Sequence, residues 1–197
     1  TLLEAFILVF VVVYIFLQDF RSTLIPAIAV PVSIVGTFFF LNLLGYSLNL
    51  LTLFALVLAI GIVVDDAIVV VEAVHAKMEG GITDAKKATI EAMDEITGAI
   101  ISITLVMAAV FIPVTFLTGP TGVFYQQFGI TLIISILISA VNALTLSPVL
   151  CSLLLKAPEH HSKEYSNLGF MQKLFYKFNA GFTAATNRYG NSFKFLL

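Results

Sequence analysis

Asp65 and Asp66 stand side by side in the run Leu58-Ala59-Ile60-Gly61-Ile62-Val63-Val64-Asp65-Asp66-Ala67-Ile68-Val69-Val70-Val71-Glu72, and they are the only charges between Leu58 and Val71. At the centre of a bilayer each would cost about 2.5 to 3.5 kcal/mol on insertion scales, so such residues face protein interior or a wet cavity. Neighbouring positions on a helix point about 100° apart, so the two side chains can reach one polar cavity while addressing different partners in it. Carboxylates this close titrate as a coupled pair. Desolvation and a like charge raise a carboxylate's proton affinity and a nearby cation lowers it, so small packing changes swing the occupancy of the site. That is what a proton carrier requires. The competing reading is a static ion pair that fastens two helices. No Lys or Arg of the chain falls at this depth, so a cationic partner is expected outside this sequence.

Gly61 lies four residues before Asp65, on the same helical face, where a missing side chain lets another helix approach. Glu72, seven residues after Asp65, falls on that face near the helix end, as a way-station for protons or as a solvated end. Thr131, Ser135, Ser139 and Asn142 form a second polar stripe at helical spacing, with Ser102 and Thr104 more loosely arranged. Such residues glue helices through hydrogen bonds worth about 0.6 kcal/mol each, and a relay role is the alternative. The single cysteine, Cys151, reads as a small buried apolar residue. With one cysteine and no ligand spacing, neither a disulfide within the chain nor a metal site is expected.

The elements that must position these residues are membrane helices. The chain is 59% hydrophobic and 11% charged, with a mean hydropathy of +1.04, against roughly a quarter charged in an ordinary soluble domain. Windows long enough to cross a hydrocarbon core of about 30 Å predict about five spans, at residues 5–17, 24–44, 48–74, 98–117 and 128–155. Pro26 and Pro31 mark a bent start of the second span, since membrane helices tolerate proline where neighbours satisfy the freed carbonyls. All ten basic residues then fall on one side: Arg21 after the first span, Lys77, Lys86 and Lys87 after the third, and the rest after the fifth. The turns at 45–49 and 118–122 carry no charge. By the positive-inside rule the basic side is cytoplasmic. Thr83 and Asp84 can cap a helix in the charged connection.

The reading is all-α: a polytopic transmembrane helical bundle over residues 1–157, a linker and cytoplasmic amphipathic surface helix over 158–190, and the start of a further span at 191–197. The surface helix rests on Phe170, Leu174, Phe175, Phe178 and Phe182 at helical spacing, with Lys173 and Lys177 between them. Thr1-Leu2-Leu3-Glu4 runs straight into an apolar segment with no initiator Met and no cleavage signal, so the sequence is expected to be cut from a longer protein. Its immediate partner is the lipid bilayer, and no nucleic-acid signature is present.

The run from Gly61 to Glu72 resembles the fourth transmembrane helix of the resistance-nodulation-division multidrug efflux pumps. Further similarity lies in Phe16-Leu17-Gln18-Asp19-Phe20-Arg21-Ser22-Thr23-Leu24-Ile25-Pro26, in Ala29-Val30-Pro31-Val32, in Phe111-Ile112-Pro113-Val114 with Gly119, Gly122, Tyr125 and Phe128, and in Ser147-Pro148-Val149-Leu150-Cys151. The resemblance implies that the five spans are the family's second to sixth helices. It also implies that Asp65 and Asp66 relay protons against a lysine and an arginine on the second half of the same transporter. Having both acidic residues favours the branch that exports hydrophobic and amphiphilic drugs over the heavy-metal exporters. Ala73 stands where the family commonly has Asn. The resemblance further implies a proton-antiporting secondary transporter of the bacterial inner membrane, not an enzyme. It would be driven by the proton-motive force without a cofactor, as a homotrimer with a periplasmic adaptor and an outer-membrane channel. A lipid- or protein-export relative would share these helices. An intramembrane aspartyl protease would place its two aspartates on different helices, which the adjacent pair here does not do.

Overall fold

The computed structural model describes residues 2–156 together with Thr186 and Arg188. The chain divides into two compact units, Thr1–Pro158 and Glu159–Leu197. Within the second, Thr186 and Arg188 are helical; the predicted surface helix at Phe170 to Phe182 and the segment 191–197 lie outside the described residues.

The first unit is an all-α transmembrane bundle: α1 (Leu2–Leu17), α2 (Phe20–Leu43), α3 (Leu50–Glu79), α4 (Ala85–Phe111) with a 3-10 turn at Ile112–Phe116, α5 (Pro120–Leu144) and α6 (Leu146–Leu154). Among the described residues, four helical stretches are long and apolar enough to cross a membrane, namely α2, α3, α4 with its 3-10 turn, and α5 with α6. Helix α1, with 16 residues, reaches about 24 Å at 1.5 Å per residue. Hydrophobic exposure runs opposite to that of a soluble domain. Leu105, Val106, Val110 and Phe116 are all more than half exposed, as side chains against lipid should be.

Helix ends follow local chemistry where hydropathy windows cannot see it. Asp19 caps α2, so that helix begins at Phe20 rather than at Leu24, and Asp84 caps α4 by accepting from the Lys86 N–H. Pro148 explains the break between α5 and α6. It has no N–H for the Leu144 carbonyl and its ring crowds that group, and Thr145 leaves helical geometry at φ −124°, ψ −65°.

Asn49 starts α3 with a reciprocal box. Its Oδ1 accepts from the Leu51 and Thr52 N–H groups at 2.9 and 3.0 Å, while Thr52 Oγ1 accepts from the Asn49 N–H at 2.9 Å. The Asn49 amide also donates to Gln127 Oε1 on α5. Asn49→Ala removes the cap, about 1 kcal/mol, and the interhelical bond, about 0.6 kcal/mol. It should lower the thermal midpoint of the full-length protein. Asn49→Asp, which keeps the cap and loses the amide donor, should recover more than half of that loss.

Helix α3 is the centre of the unit. It packs against α5, α4, α2, α1 and α6. Its inner face is small and β-branched: Ala55, Ala59, Ile60, Val63, Ala67, Val70, Val71 and Val74 are all buried. The outer face, by contrast, is an uncovered stripe of Leu50, Phe54, Leu58, Gly61, Asp65, Val69, Glu72 and Ala76 at helical spacing.

Candidate functional site: a carboxylate pair on the central helix

The 100° between consecutive helix positions splits the pair. Asp66 turns inward and is half-buried, whereas Asp65 lies on the uncovered stripe with Gly61 one turn before it and Glu72 two turns after it. Asp66 Oδ2 accepts a hydrogen bond of 2.5 Å from Ser139 Oγ on α5, within the range of hydroxyl bonds to an ionised carboxylate. Ser139 is 1% exposed. So the donor is held where water does not compete for it.

The rest of the α5 stripe shows why Ser139 differs. Thr131 donates to the Gln127 carbonyl and Ser135 to the Thr131 carbonyl, each four residues back in its own helix, and Ser135 Oγ also lies 3.1 Å from Thr37 Oγ1 on α2. Ser102 and Thr104 likewise donate four residues back on α4. Ser139 instead crosses to α3. Asn142, one turn further on, crosses to α2, where its Nδ2 donates to Ser33 Oγ at 2.8 Å. Asp66 therefore sits beside a polar seam shared by α2, α3 and α5, in which Ser139 and Asn142 of α5 are donors. The sequence marks the stripe as helix glue but does not reveal that Ser139 meets the carboxylate.

On the other side, no helix among the described residues approaches Gly61. A Cβ built there meets nothing within 4 Å. Asp65, Gly61 and Glu72 share one uncovered face, and the cation expected for the pair is not among the described residues. Among the same residues no cluster of three or more metal-binding side chains occurs.

Further interhelical contacts that escaped sequence reasoning include Asn49 with Gln127, the ion pair of Lys77 on α3 with Glu95 on α4, and a part-buried link from Ser22 to His75. Only the first has a signal, the Asn-x-x-Thr cap pattern, and that signal concerns the cap and not the partner.

Comparison with known proteins agrees with this geometry. The AcrB/AcrD/AcrF family pattern matches residues 1–197. The chain is 48% identical over 194 residues to the multidrug export protein AcrF of Escherichia coli K12, covering 98% of this chain and 18% of that protein. It is 46% identical over 189 residues to the solvent-resistant pump membrane transporter SrpB of Pseudomonas putida, covering 96% of this chain and 18% of that protein. It is 45% identical over 195 residues to the toluene efflux pump membrane transporter TtgB of Pseudomonas putida DOT-T1E, covering 98% and 18% respectively. The chain thus spans about a fifth of the length of these relatives. A match along every residue, laid over a membrane bundle with paired carboxylates on its central helix, places the chain in the AcrB/AcrD/AcrF family of resistance-nodulation-division efflux transporters.

Proposed function

We propose that this chain is the proton-coupling part of an efflux transporter that exports hydrophobic or amphiphilic compounds from the bacterial inner membrane by proton antiport. The observation that carries the reading is the placement of Asp65 and Asp66 on the central helix, one carboxylate held by Ser139 and the other on an uncovered face. Loss or gain of a proton changes whether Asp66 is an acceptor-only ion or a neutral acid, and so changes how α3 binds α5. Asp65, on the outer face, changes in the same step how α3 binds whatever covers that face. Protonation is thereby converted into relative helix movement, the requirement of alternating access. The relatives' names point to drugs and solvents as cargo. The homotrimer, its periplasmic adaptor and its outer-membrane channel belong to the same reading.

The adjacent aspartates diverge around one helix and do not face each other across a cleft, which argues against a shared-proton protease site. The deciding experiment reconstitutes the full-length protein in vesicles and follows movement of ethidium under an imposed pH gradient. Transport should stop when a protonophore collapses the gradient. Transport that continues without it would defeat the reading.

Ser139 supplies a finer test. A hydrogen bond to a charged group is worth about 1.5 to 3 kcal/mol, so Ser139→Ala should slow transport roughly tenfold to a hundredfold. Ser139→Thr, which keeps a hydroxyl at the same carbon, should slow it far less. Equal rates for the two variants would show that the bond to Asp66 is idle.

A further inference from the structure

Ser22 is fully buried near the start of α2, yet its hydroxyl has two polar neighbours from different elements. Asp19 Oδ2, in the turn between α1 and α2, accepts from the Ser22 N–H at 2.9 Å and from Ser22 Oγ at 2.6 Å. His75 Nε2, on α3, lies 2.7 Å from the same Oγ. Proton bookkeeping then fixes the directions. Burial acts to raise the Asp19 pKa, but the Ser22 hydroxyl, the Ser22 and Arg21 N–H groups and the charge of His75 outweigh it and hold the carboxyl below its ordinary value. An ionised carboxylate only accepts, so the one Ser22 hydroxyl proton points to Asp19. The hydroxyl oxygen must then accept from His75, which places a proton on Nε2. The result is a directed chain, His75 Nε2–H to Ser22 O–H to Asp19 carboxylate, that leaves α3 and ends on a half-buried group in the turn.

His75 also lies one turn beyond Glu72, which shares the face of Asp65. The other charged groups on the packed elements are Lys77 and Glu79 on α3, Arg21 on α2, Glu4 on α1, and Lys86, Lys87, Glu91, Asp94 and Glu95 on α4. Lys77 is paired with Glu95, and α6 carries no charge.

We propose that His75, Ser22 and Asp19 form a proton relay that carries protons from α3 to water at the end of the bundle bearing the basic loops. It rests on the proton-driven reading of the Asp65–Asp66 pair and adds an exit route to it. A proton taken up at His75 Nδ1 gives an imidazolium. The Nε2 proton passes to Ser22 Oγ while the Ser22 hydroxyl proton passes to Asp19 Oδ2. Asp19, whose carboxyl favours the ionised form, hands the proton to water and does not store it. Rotation of the Ser22 hydroxyl and exchange of the imidazole tautomer reset the chain.

The test uses the full-length protein in proteoliposomes, with the lumen acidic, the basic-loop face outward and ethidium as the transported probe. His75→Gln keeps an N–H donor to Ser22 but cannot pass a proton through a second ring nitrogen. It should slow ethidium-dependent proton release about fivefold or more, the size expected for loss of a positioned proton-transfer group in part of a route. Free imidazole added outside should restore at least half of the rate, because a small base can replace the missing ring whereas it cannot repair a packing defect. Ser22→Ala should give the same slowing, and it carries the test if His75→Gln fails to accumulate. Wild-type rates in these variants would overturn the relay, as would slowing that imidazole does not relieve. Asp66→Asn runs in parallel. If it stops proton release while His75→Gln does not, the relay alone is wrong; if it changes nothing, the coupling role of the pair is wrong.

Discussion

Asp66→Asn in the full-length transporter is expected to reduce drug resistance to the level of cells lacking the gene, at least a tenfold fall in inhibitory concentration, while the protein still folds and inserts. The substitution is nearly isosteric. The asparagine Oδ1 can still accept from Ser139, so the α3–α5 contact survives, and what disappears is the ability to gain and lose a charge. A neutral amide also costs less than a carboxylate at membrane depth. The thermal midpoint should therefore hold steady or rise as activity falls. That opposition separates a functional charge from a structural one, since a static ion pair would lose stability along with its charge. The measurements are inhibitory concentrations in a strain without competing pumps and unfolding of the purified protein. Undiminished resistance would remove Asp66 from the mechanism, and a sharp loss of stability would recast it as a fastener.

Asp65→Asn should be equally damaging for a different physical reason. Asp65 has no described neighbour on its face of α3 comparable to Ser139, so its charge acts on whatever covers the stripe from Leu50 to Ala76.

The pair was legible in the sequence because a charge in an apolar run carries an energy that no packing detail can hide. Its surroundings were not. Ser139 and Asp66 are separated by 73 positions, and the i, i+4 spacing of the α5 stripe is identical whether a hydroxyl bonds back to its own helix or across to another. Only helix register decides. The same limit hid the Asp19–Ser22–His75 chain. Ser22 and His75 carry no signal in the sequence, and the link exists because the turn after α1 meets the far end of α3. Spans were legible as apolar stretches, but hydrogen bonding, not hydropathy, sets where helices end. Helix α5 starts at Pro120, before the apolar window opens at Phe128, because polar Gln126 and Gln127 are as helical as their neighbours. Helix α4 similarly reaches back to Ala85 through the charged residues of the connection.

Gly122→Ala should produce the largest loss of stability of any methyl added to this chain. Leu117, Gly119 and Gly122 form the uncharged turn that leads from the 3-10 segment into α5. Gly119 sits at φ +88°, a left-handed value that glycine adopts without strain. The chain then doubles back so tightly that a Cβ on Gly122 would lie 2.7 Å from the Leu117 carbonyl carbon and collide with its oxygen. Backbone, unlike a side chain, cannot step aside by changing rotamer. The turn must open, and α5, which carries Ser139, must shift with it. Overpacking of this kind costs about 1 to 3 kcal/mol, and a fixed backbone obstacle puts the expected loss at the upper end. Gly61→Ala is the counterpart on the same chain. It meets nothing among the described residues, and only the helix preference of alanine, about 1 kcal/mol in its favour, applies within the unit. Unfolding of both variants in the full-length protein gives the comparison. If Gly122→Ala matches the wild type, the turn is looser than its geometry implies. If Gly61→Ala proves as damaging as Gly122→Ala, another helix lies directly against α3 at Gly61, and Asp65 on the same face is covered with it.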